Sequence, residues 1–592
     1  MLLFSAACQG GGVVSECTEV NLRAALAGGG LVTFACDGTI ALASTITNTV
    51  NTTLDGGGHD VRFSGEDAVR VFLVGTNSTL TLKNLKLING RATKGAGIFN
   101  DGGTLSLSGV AMTGNKVDTF GEMVSRFETA EGGALYNQNG VVTVESCTFY
   151  SNTAYQGSDD FAASDLKARG GAIRNVDGVV NLVNCQFIAN RASGGPTIGP
   201  ILYSRDGVGG AIHNSGVLTA TRCSFVGNAA RGEPAVSTIY PGFAGGSGMG
   251  GAIYNDGSLA LIASTVVSNR ASGGSGGFGS TGCADCPGYP PYPGGAGGSG
   301  GLACGGGLFN SGSASAVNCT FAGNSCSGGN GGQGGSGGPA HFHGLSGTDG
   351  GPGGAGGSSF GGGIHGPALL TNCTLAFNSV FPGAGGAGGQ GGNGMPPGIS
   401  GQPGASGSPG AASGGGVTGG SFVNTLLATN DPGGNSAGLL TDLGHNLSSD
   451  ATCSFTAVGS LNHTDPKLSR LSNNGGTTLT LALLPGSPAI DAGKNASAPP
   501  TDQRGVPRPV GAATDIGAYE FTAVLEISRA SGNGINVLVY GPTGQTCRLL
   551  TCSTLPGWEC VATNQIDLDG TVLFQDNCGG GHIQRFYKVA LP

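Results

Sequence analysis

At 592 residues the chain is too long for one ordinary globular core, and only 10% of its residues are charged. A formal charge of −9 at pH 7 argues against nucleic acid or an anionic membrane as partner, since either would call for a basic patch. Glycine supplies 120 residues, yet without the every-third period across the chain that collagen requires.

The first residues, MLLFSAAC, hold only a vestige of an apolar segment and no basic flank, so they do not make a secretion signal; Ser5-Ala6-Ala7-Cys8 is a distant echo of a lipoprotein cleavage site, and the expected true start lies upstream of Met1. No other stretch has the length and apolarity to span a membrane. Cys17 to Leu26 (CTEVNLRAAL) offers Val20, Leu22, Ala25 and Leu26 to one side of a helix, which would cap an open end within an N-terminal segment at 1–30. Strand-like runs follow at Leu31 to Cys36, Thr39 to Leu42, Thr52 to Asp55, Val61 to Ser64, Val71 to Val74 and Thr79 to Leu82.

From there to Asn430 one cassette returns, with Gly132 to Asn152 (GGALYNQNGVVTVESCTFYSN) as its clearest copy and others at Gly170 and Gly209; weaker copies start at Gly95, Gly250, Gly305, Gly361 and Gly414. The cassette keeps to about twenty residues, the length of one β-solenoid coil, while the spacers between copies vary, so the spacers are loops thrown out at one corner. A solenoid grows lengthwise, which reconciles the domain at 31–430 with the length of the chain. Alignment on the closing Asn sorts residues into lanes. One is small (Val110, Cys147, Cys185, Cys223, Ser264, Cys319, Cys373, Thr425) and one bulky (Met112, Phe149, Phe187, Phe225, Val266, Phe321, Leu375, Leu427). The closing lane itself, Asn115 to Asn430, reads as an asparagine ladder at a corner that needs left-handed backbone; Asn100, Asn137, Asn175, Asn214, Asn255 and Asn310 form a second ladder.

These paired GGA[IL] and FxxN signatures with glycine-rich spacers resemble the repeats of chlamydial polymorphic outer-membrane proteins and of bacterial right-handed parallel β-helix surface proteins. The resemblance implies an all-β, right-handed parallel β-helix, exposed on a cell or secreted.

The spacers have a local period of three: SGGSGGF from Ser272, PGGAGGSGG from Pro293, SGGNGGQGGSGGP from Ser327, and four triplets from Gly383 to Gly394. Two readings stand. They are flexible loops, or they are extended three-residue-per-turn helices that pack side by side because two of every three residues lack a side chain.

Chemistry is sparse. Asp101, Asp177 and Asp256 sit at or beside Gly and read as turn residues, no lane stacks acid over acid, and Asp159, Asp160 and Asp165 share a loop as a weak calcium candidate; no cofactor is otherwise expected. Cys283-Ala-Asp-Cys286 is half of a zinc pattern without its other half, and His341, His343 and His365 are dispersed. The more informative lane is Phe99, Tyr136, Arg174, His213, Tyr254 and Phe309, with His365 in the matching place. Alternation points it outward, where planar groups could stack on sugar rings, or where loops could fold over it and make it packing.

After Asn430 the pattern changes. GHNLSSDATCSF, DPKLSRLSNNGGTTLTLALLPGSPAIDAG and DQRGVPRPVGAATDIGAYEF closely resemble the terminal region of the choice-of-anchor Q family of exported β-helix proteins, over 431–521. The resemblance implies that Arg504, Asp515 and Glu520 matter to how this end is closed, as a structural ion-pair cluster. Residues 522–592 read as a separate small β module of six strands, a sandwich, with disulfides expected among Cys547, Cys552, Cys560 and Cys578. Further pairs are expected at Cys17 with Cys36, Cys283 with Cys286, and Cys304 with Cys326; such cysteine usage suits an extracytoplasmic address. The expected function is non-enzymatic, adhesin-like or structural, with a polysaccharide, a host or neighbouring cell surface, or a second copy through the glycine loops as partner. The alternative is a polysaccharide lyase or glycoside hydrolase.

Overall fold

The structure, a computed structural model, describes residues 11–119, 129–157, 167–195, 205–235, 241–287, 289–530, 534–542, 544–554, 556–567, 570–577 and 585–591. The chain winds as a parallel β-helix. In one coil Ile173–Val176 and Val179–Val183 lie in a 22-stranded sheet, Gln186–Ile188 in a 12-stranded sheet, Arg191–Gly194 in an 8-stranded sheet and Asp206–Val208 in a 6-stranded sheet, giving a broad face followed by second, third and fourth faces. Coil pairs with coil in parallel and in repeat register: Ile173 opposes Ile212, Val180 Leu218, Phe187 Phe225 and Ala192 Ala230.

Register follows from the lanes. Val180, Leu182, Phe187 and their equivalents are buried, so a slip by one residue would turn the whole apolar set outward. The bulky lane stacks ring on ring, with Phe149, Phe187 and Phe225 at 4.6 and 4.9 Å and nearly parallel. Both asparagine ladders are present and buried. Asn190 Nδ2 donates to Asn228 Oδ1 (3.0 Å) and to the Phe149 carbonyl (2.9 Å), while its own Oδ1 accepts from the backbone and side chain of Asn152 (3.0 Å each). The second ladder repeats the theme, Asn137 Nδ2 donating to Asn175 Oδ1 at 2.8 Å. One expectation needs correction: the left-handed corner residue is not the ladder Asn but the residue before it, as at Ser151, Ala189, Gly227, Ser268 and Gly323. The Asn stays free to adopt the backbone that aims its amide along the axis. The small lane is also more than filler, because Cys147 Sγ donates to the Glu145 carbonyl and accepts from Val110 N–H, bonds that Ser264 makes with its hydroxyl, while Thr425 Oγ1 repeats the donating one to the Val423 carbonyl.

The expected helix is Glu19–Leu26, capped by Thr18 Oγ1 and pinned by the Cys17–Cys36 disulfide. Leu22 drives its packing, being fully buried against the first coils.

The region after Asn430 does not simply close the end. Residues from about Asp465 to Phe521 run back along the outer surface of the second face as a strap. Thr265 Oγ1 donates to the Leu479 carbonyl (2.6 Å), Gln503 bridges Thr265 and Thr320 (2.8 and 2.6 Å), and Ala518 N–H donates to Thr374 Oγ1 (2.9 Å). Leu481 is buried there with Val267, Ala322 and Ala376. The ion pairs hold the strap in shape: Arg504 pairs with Asp502 at 2.8 Å and lies 3.6 Å over the buried Tyr519 ring, and Arg508 pairs with Glu520 at 2.7 Å, with all four charged side chains buried. Asp515 belongs to the same cluster, and burial together with the neighbouring Glu520 charge pushes its carboxyl well above the usual range.

The C-terminal module is two three-stranded antiparallel sheets enclosing Val537, Val539, Leu549 and Phe574. Its expected disulfides are not formed among the described residues. Cys547, Cys552 and Cys560 are free, because Cys547 points into the sandwich core while Cys560 lies exposed on the adjacent strand; Cys578 is outside the described residues. Cys304 and Cys326 are likewise free and buried, Cys326 in a cluster with Ala271, Ala303 and Val380.

Candidate functional site

Two features stand out from the wall: the outward lane on the broad face, and the loops.

The lane holds two runs of ring contacts, one on each side of Arg174. Phe99 meets Tyr136 edge-on at 5.0 Å, His213 meets Tyr254 at 4.6 Å, Tyr254 stacks on Phe309 at 4.7 Å within 5°, and Phe309 stacks on His365 at 5.2 Å. From Tyr254 to His365, stacking at coil spacing spends the ring faces on one another, so edges face outward there, while Phe99 and Tyr136 meet edge to face. Tyr136, Arg174 and His213 are buried, and Phe99, Tyr254 and Phe309 half-buried. Sugar stacking needs free ring faces, which the stacked run of Tyr254, Phe309 and His365 does not offer.

What the lane does have is charge that was not read from the sequence. Glu131, nearly buried, sits between Arg169 (3.0 Å) and Lys94 (3.8 Å), whose ammonium lies 5.2 Å from the Tyr136 ring centre. Burial alone would raise the Glu131 carboxyl, but Arg174, Arg169 and Lys94 outweigh it and hold it below its ordinary value. Burial, helped by the Glu131 charge, pushes the Tyr136 phenol up to about 12. Arg174 donates to Ser215 Oγ and to the Asn175 carbonyl, both at 2.7 Å, leaving Nε without a partner among the described residues. His213 contacts Asp256 at 3.5 Å; burial and then the Arg174 charge lower its pKa to about 4. Asp256 is therefore more than a turn residue, and although burial opposes it, hydrogen bonds from His213 and Ser215 hold its pKa at about 2. The signal was available in the residue just before each first glycine: Lys94, Glu131, Arg169 alternate in sign along one lane.

The metal candidates come apart. His341 pairs with Asp285 (3.1 Å), His343 with the Pro396 carbonyl (2.6 Å) and His365 with Thr418 (2.8 Å). Cys283 and Cys286 form a disulfide, and no cluster of three metal-binding side chains occurs among the described residues. Asp159, Asp160 and Asp165 lie outside the described residues.

The glycine-rich loops at 273–302, 328–358 and 382–411 form the side-by-side extended helices of the second reading of the spacers. They leave between the third and fourth faces, run out, turn and return, and their glycines donate with a period of three. Outgoing segments bond to outgoing segments, Gly276 to Asn330 and Gly279 to Gln333 (2.8 Å each), then Gly331 to Ala384 and Gly334 to Ala387 (2.8 and 2.9 Å). Returning segments do likewise, Gly297 to Pro352 and Gly353 to Ala405 (2.8 Å each), and the two layers are tied by bonds such as Gly298 to Gly277 and Gly354 to Gly332. The result is a two-layer slab of extended helices in which the third residue of each triplet, such as Gln333, Pro352 or Ala387, is exposed. Glycine is required inside it: a Cβ on Gly332 would lie 2.0 Å from the Gly277 carbonyl oxygen.

The slab also ends itself. The returning positions that face the next layer are Gly350, Gly353 and Gly356, where a Cβ would meet the following outgoing backbone at 2.0 to 2.1 Å. In the last returning segment the equivalents are Pro403, Ser406 and Pro409. Their side chains stand where another outgoing segment would run, and the prolines lack the N–H that Gly350 and Gly356 give to the next returning segment.

Compared with known proteins, the chain matches no family model, no curated protein and no solved structure. No described helix is long and apolar enough to cross a membrane, and the two disulfides are compatible with an extracellular location.

Proposed function

We propose that this is a non-enzymatic, secreted or cell-surface protein in which the β-helix is a rigid shaft and the glycine slab a contact-making plate held out from it, in an adhesive or structural role. The order of the slab carries this reading: long loops hydrogen-bonded layer to layer present a fixed surface, where flexible spacers would present none. The resemblance of the repeats to polymorphic outer-membrane proteins and of 431–521 to the choice-of-anchor Q region supports the surface address, as do the disulfides. The self-terminating edge disfavours open-ended growth of slab on slab and leaves the flat faces and the tip for partners.

One observation favours a second reading. Glu131, Tyr136, Arg169 and Arg174 put an acid, a phenol and two guanidiniums in one corner, the groups a polysaccharide-cleaving site would use. A panel of bacterial and plant polysaccharides and whole cells, with product release followed in the same wells, separates the two. Retention that disappears in Gly332→Val, while the shaft stays folded and no product forms, is the expected result. New reducing ends or unsaturated products that vanish in Tyr136→Phe would establish the enzyme instead.

A further inference from the structure

The far end of the slab is built differently from its faces. In the second of the long loops the turn is locked three times: by the Cys283–Cys286 disulfide, by the reciprocal backbone bonds between Cys283 and Tyr292 (2.9 Å each), and by Pro287, Pro290 and Pro291. On this stiffened turn Tyr289 is 73% exposed and Tyr292 45%. The next loop turns beside it, His341 touching Asp285, and places Phe342 at 66% exposure; the last adds Ile399 at 72%, joined to its neighbour through Met395 N–H to the Leu345 carbonyl (3.0 Å). Three consecutive loops thus bring exposed aromatic and aliphatic groups to one end. Tyr289, Tyr292 and Phe342 stack on no other ring among the described residues, unlike the lane on the broad face.

The electrical setting narrows the partner. Between Ala271 and Ser413 the chain contains no Lys, Arg or Glu, and Asp285 and Asp349 are its only acids. Asp285 is already engaged by His341. An anionic polysaccharide, a nucleic acid or an acidic peptide would find no cation here, and a basic partner almost no anion. The two histidines use Nδ1 inside the tip, against Asp285 and the Pro396 carbonyl, which leaves each Nε2 as an outward acceptor for a hydroxyl. Free ring faces on a pre-stiffened turn, hydroxyl acceptors beside them and no charge to match are the chemistry of an uncharged sugar polymer.

We propose that the tip of the slab is a binding site for a neutral polysaccharide, with pyranose rings laid on Tyr289, Tyr292 and Phe342 and hydroxyls donating to His341 and His343. This rests on the slab being the contact-making part of the protein.

The test uses the full chain in affinity electrophoresis and calorimetry with β-glucan, xyloglucan and galactomannan, and with polygalacturonate and alginate as charged counterparts. Expected is retention by at least one neutral polymer, unchanged in 0.5 M salt, and at least tenfold weaker in Tyr289→Ala/Tyr292→Ala and in Phe342→Ala. These side chains are exposed, so amide exchange in the coils should match the parent, and Tyr254→Ala should bind as the parent does. Binding only to the charged polymers, or to none of the five, overturns the proposal. Binding that survives the tip variants but is lost in Gly332→Val overturns the tip assignment while the slab reading stands; binding that survives all of them refutes both.

Discussion

Gly332→Ala adds a single carbon in the middle of the slab and should unlock it locally. The Cβ would lie 2.0 Å from the Gly277 oxygen, 2.6 Å from its carbonyl carbon and 2.9 Å from the Gly276 oxygen, all backbone atoms that cannot turn away. Relieving this contact requires the two outgoing segments to part by more than about 1 Å, given an ordinary C···O approach of roughly 3.2 to 3.5 Å. That stretches the flanking bonds, Gly276 to Asn330 and Gly279 to Gln333, from 2.8 Å to near 4 Å, beyond any hydrogen bond. Two bonds at about 1 kcal/mol each, with about 1 to 3 kcal/mol for overpacking, give a local cost of about 3 to 5 kcal/mol. Gly332 needs no positive φ, so the backbone itself tolerates Ala and the cost is one of packing. Residue-resolved amide exchange reads it directly: at 1.4 kcal/mol per tenfold, Gly276 and Gly279 should exchange about a hundredfold faster or more, with the coil amides of Phe187 and Phe225 unchanged. Gln333→Ala, one residue on and exposed, should change nothing. Exchange at Gly276 and Gly279 within threefold of the parent would show that the slab is not held by glycine contact, and the plate reading would fall with it.

Asn190→Ala removes four buried hydrogen bonds and strands the Asn152 backbone N–H, so it should cost about 3 to 5 kcal/mol, seen as a lower urea midpoint and faster exchange in the two adjacent coils. The burial of His213 should make the protein acid-sensitive. A base whose pKa falls from 6.5 to about 4 on folding contributes stability that is complete above 6.5 and lost as pH drops toward 4, a limit of about 3 kcal/mol. His213→Phe should flatten that part of the urea-midpoint profile, and an unchanged profile would refute the assignment. The triple change Pro403→Gly, Ser406→Gly, Pro409→Gly should open the last edge of the slab and raise the associated fraction in sedimentation velocity, which an unaltered distribution would contradict.

The coils were legible because a stacked lane writes itself into the sequence once per turn: Cys147, Cys185 and Cys223, or Phe149, Phe187 and Phe225, need no long-range information to be aligned. The strap was not legible, because nothing local in 465–521 says which face it will lie on. Its trace is on the covered face instead. Outward positions that read Thr148, Gln186 and Ser224 early in the shaft become Thr265, Thr320 and Thr374, and Tyr150, Ile188 and Val226 become Val267, Ala322 and Ala376, the small and hydroxyl-bearing surface a strap can sit on. Alternation set the lane opposite the core-facing Leu135, Ile173 and Ile253, but three of its members, Tyr136, Arg174 and His213, are buried, and its charged neighbours were overlooked. Alternation gives the direction of Tyr136 or Tyr254 but not whether the next ring will lie flat against it, nor that Glu131, across the glycine corner, will lie beneath it.

Coil and slab are bound by one dimension. Parallel coils stack about 4.8 Å apart, and loops leaving the same corner inherit that spacing as long as they run side by side. Extended helices with side chains on all three edges cannot approach so closely, whereas helices bare on two edges can, and then each triplet gains two backbone bonds to its neighbours. The period of three is thus imposed by the shaft on the loops. It explains why the glycine triplets continue through several successive layers, and why they cease where Pro403, Ser406 and Pro409 stand and no further long loop follows. It also sets an order of dependence. A shaft can persist with its slab unlocked, but a slab cannot form without the shaft that spaces it, so excised loop peptides should be disordered while the Gly332→Ala chain keeps its coils.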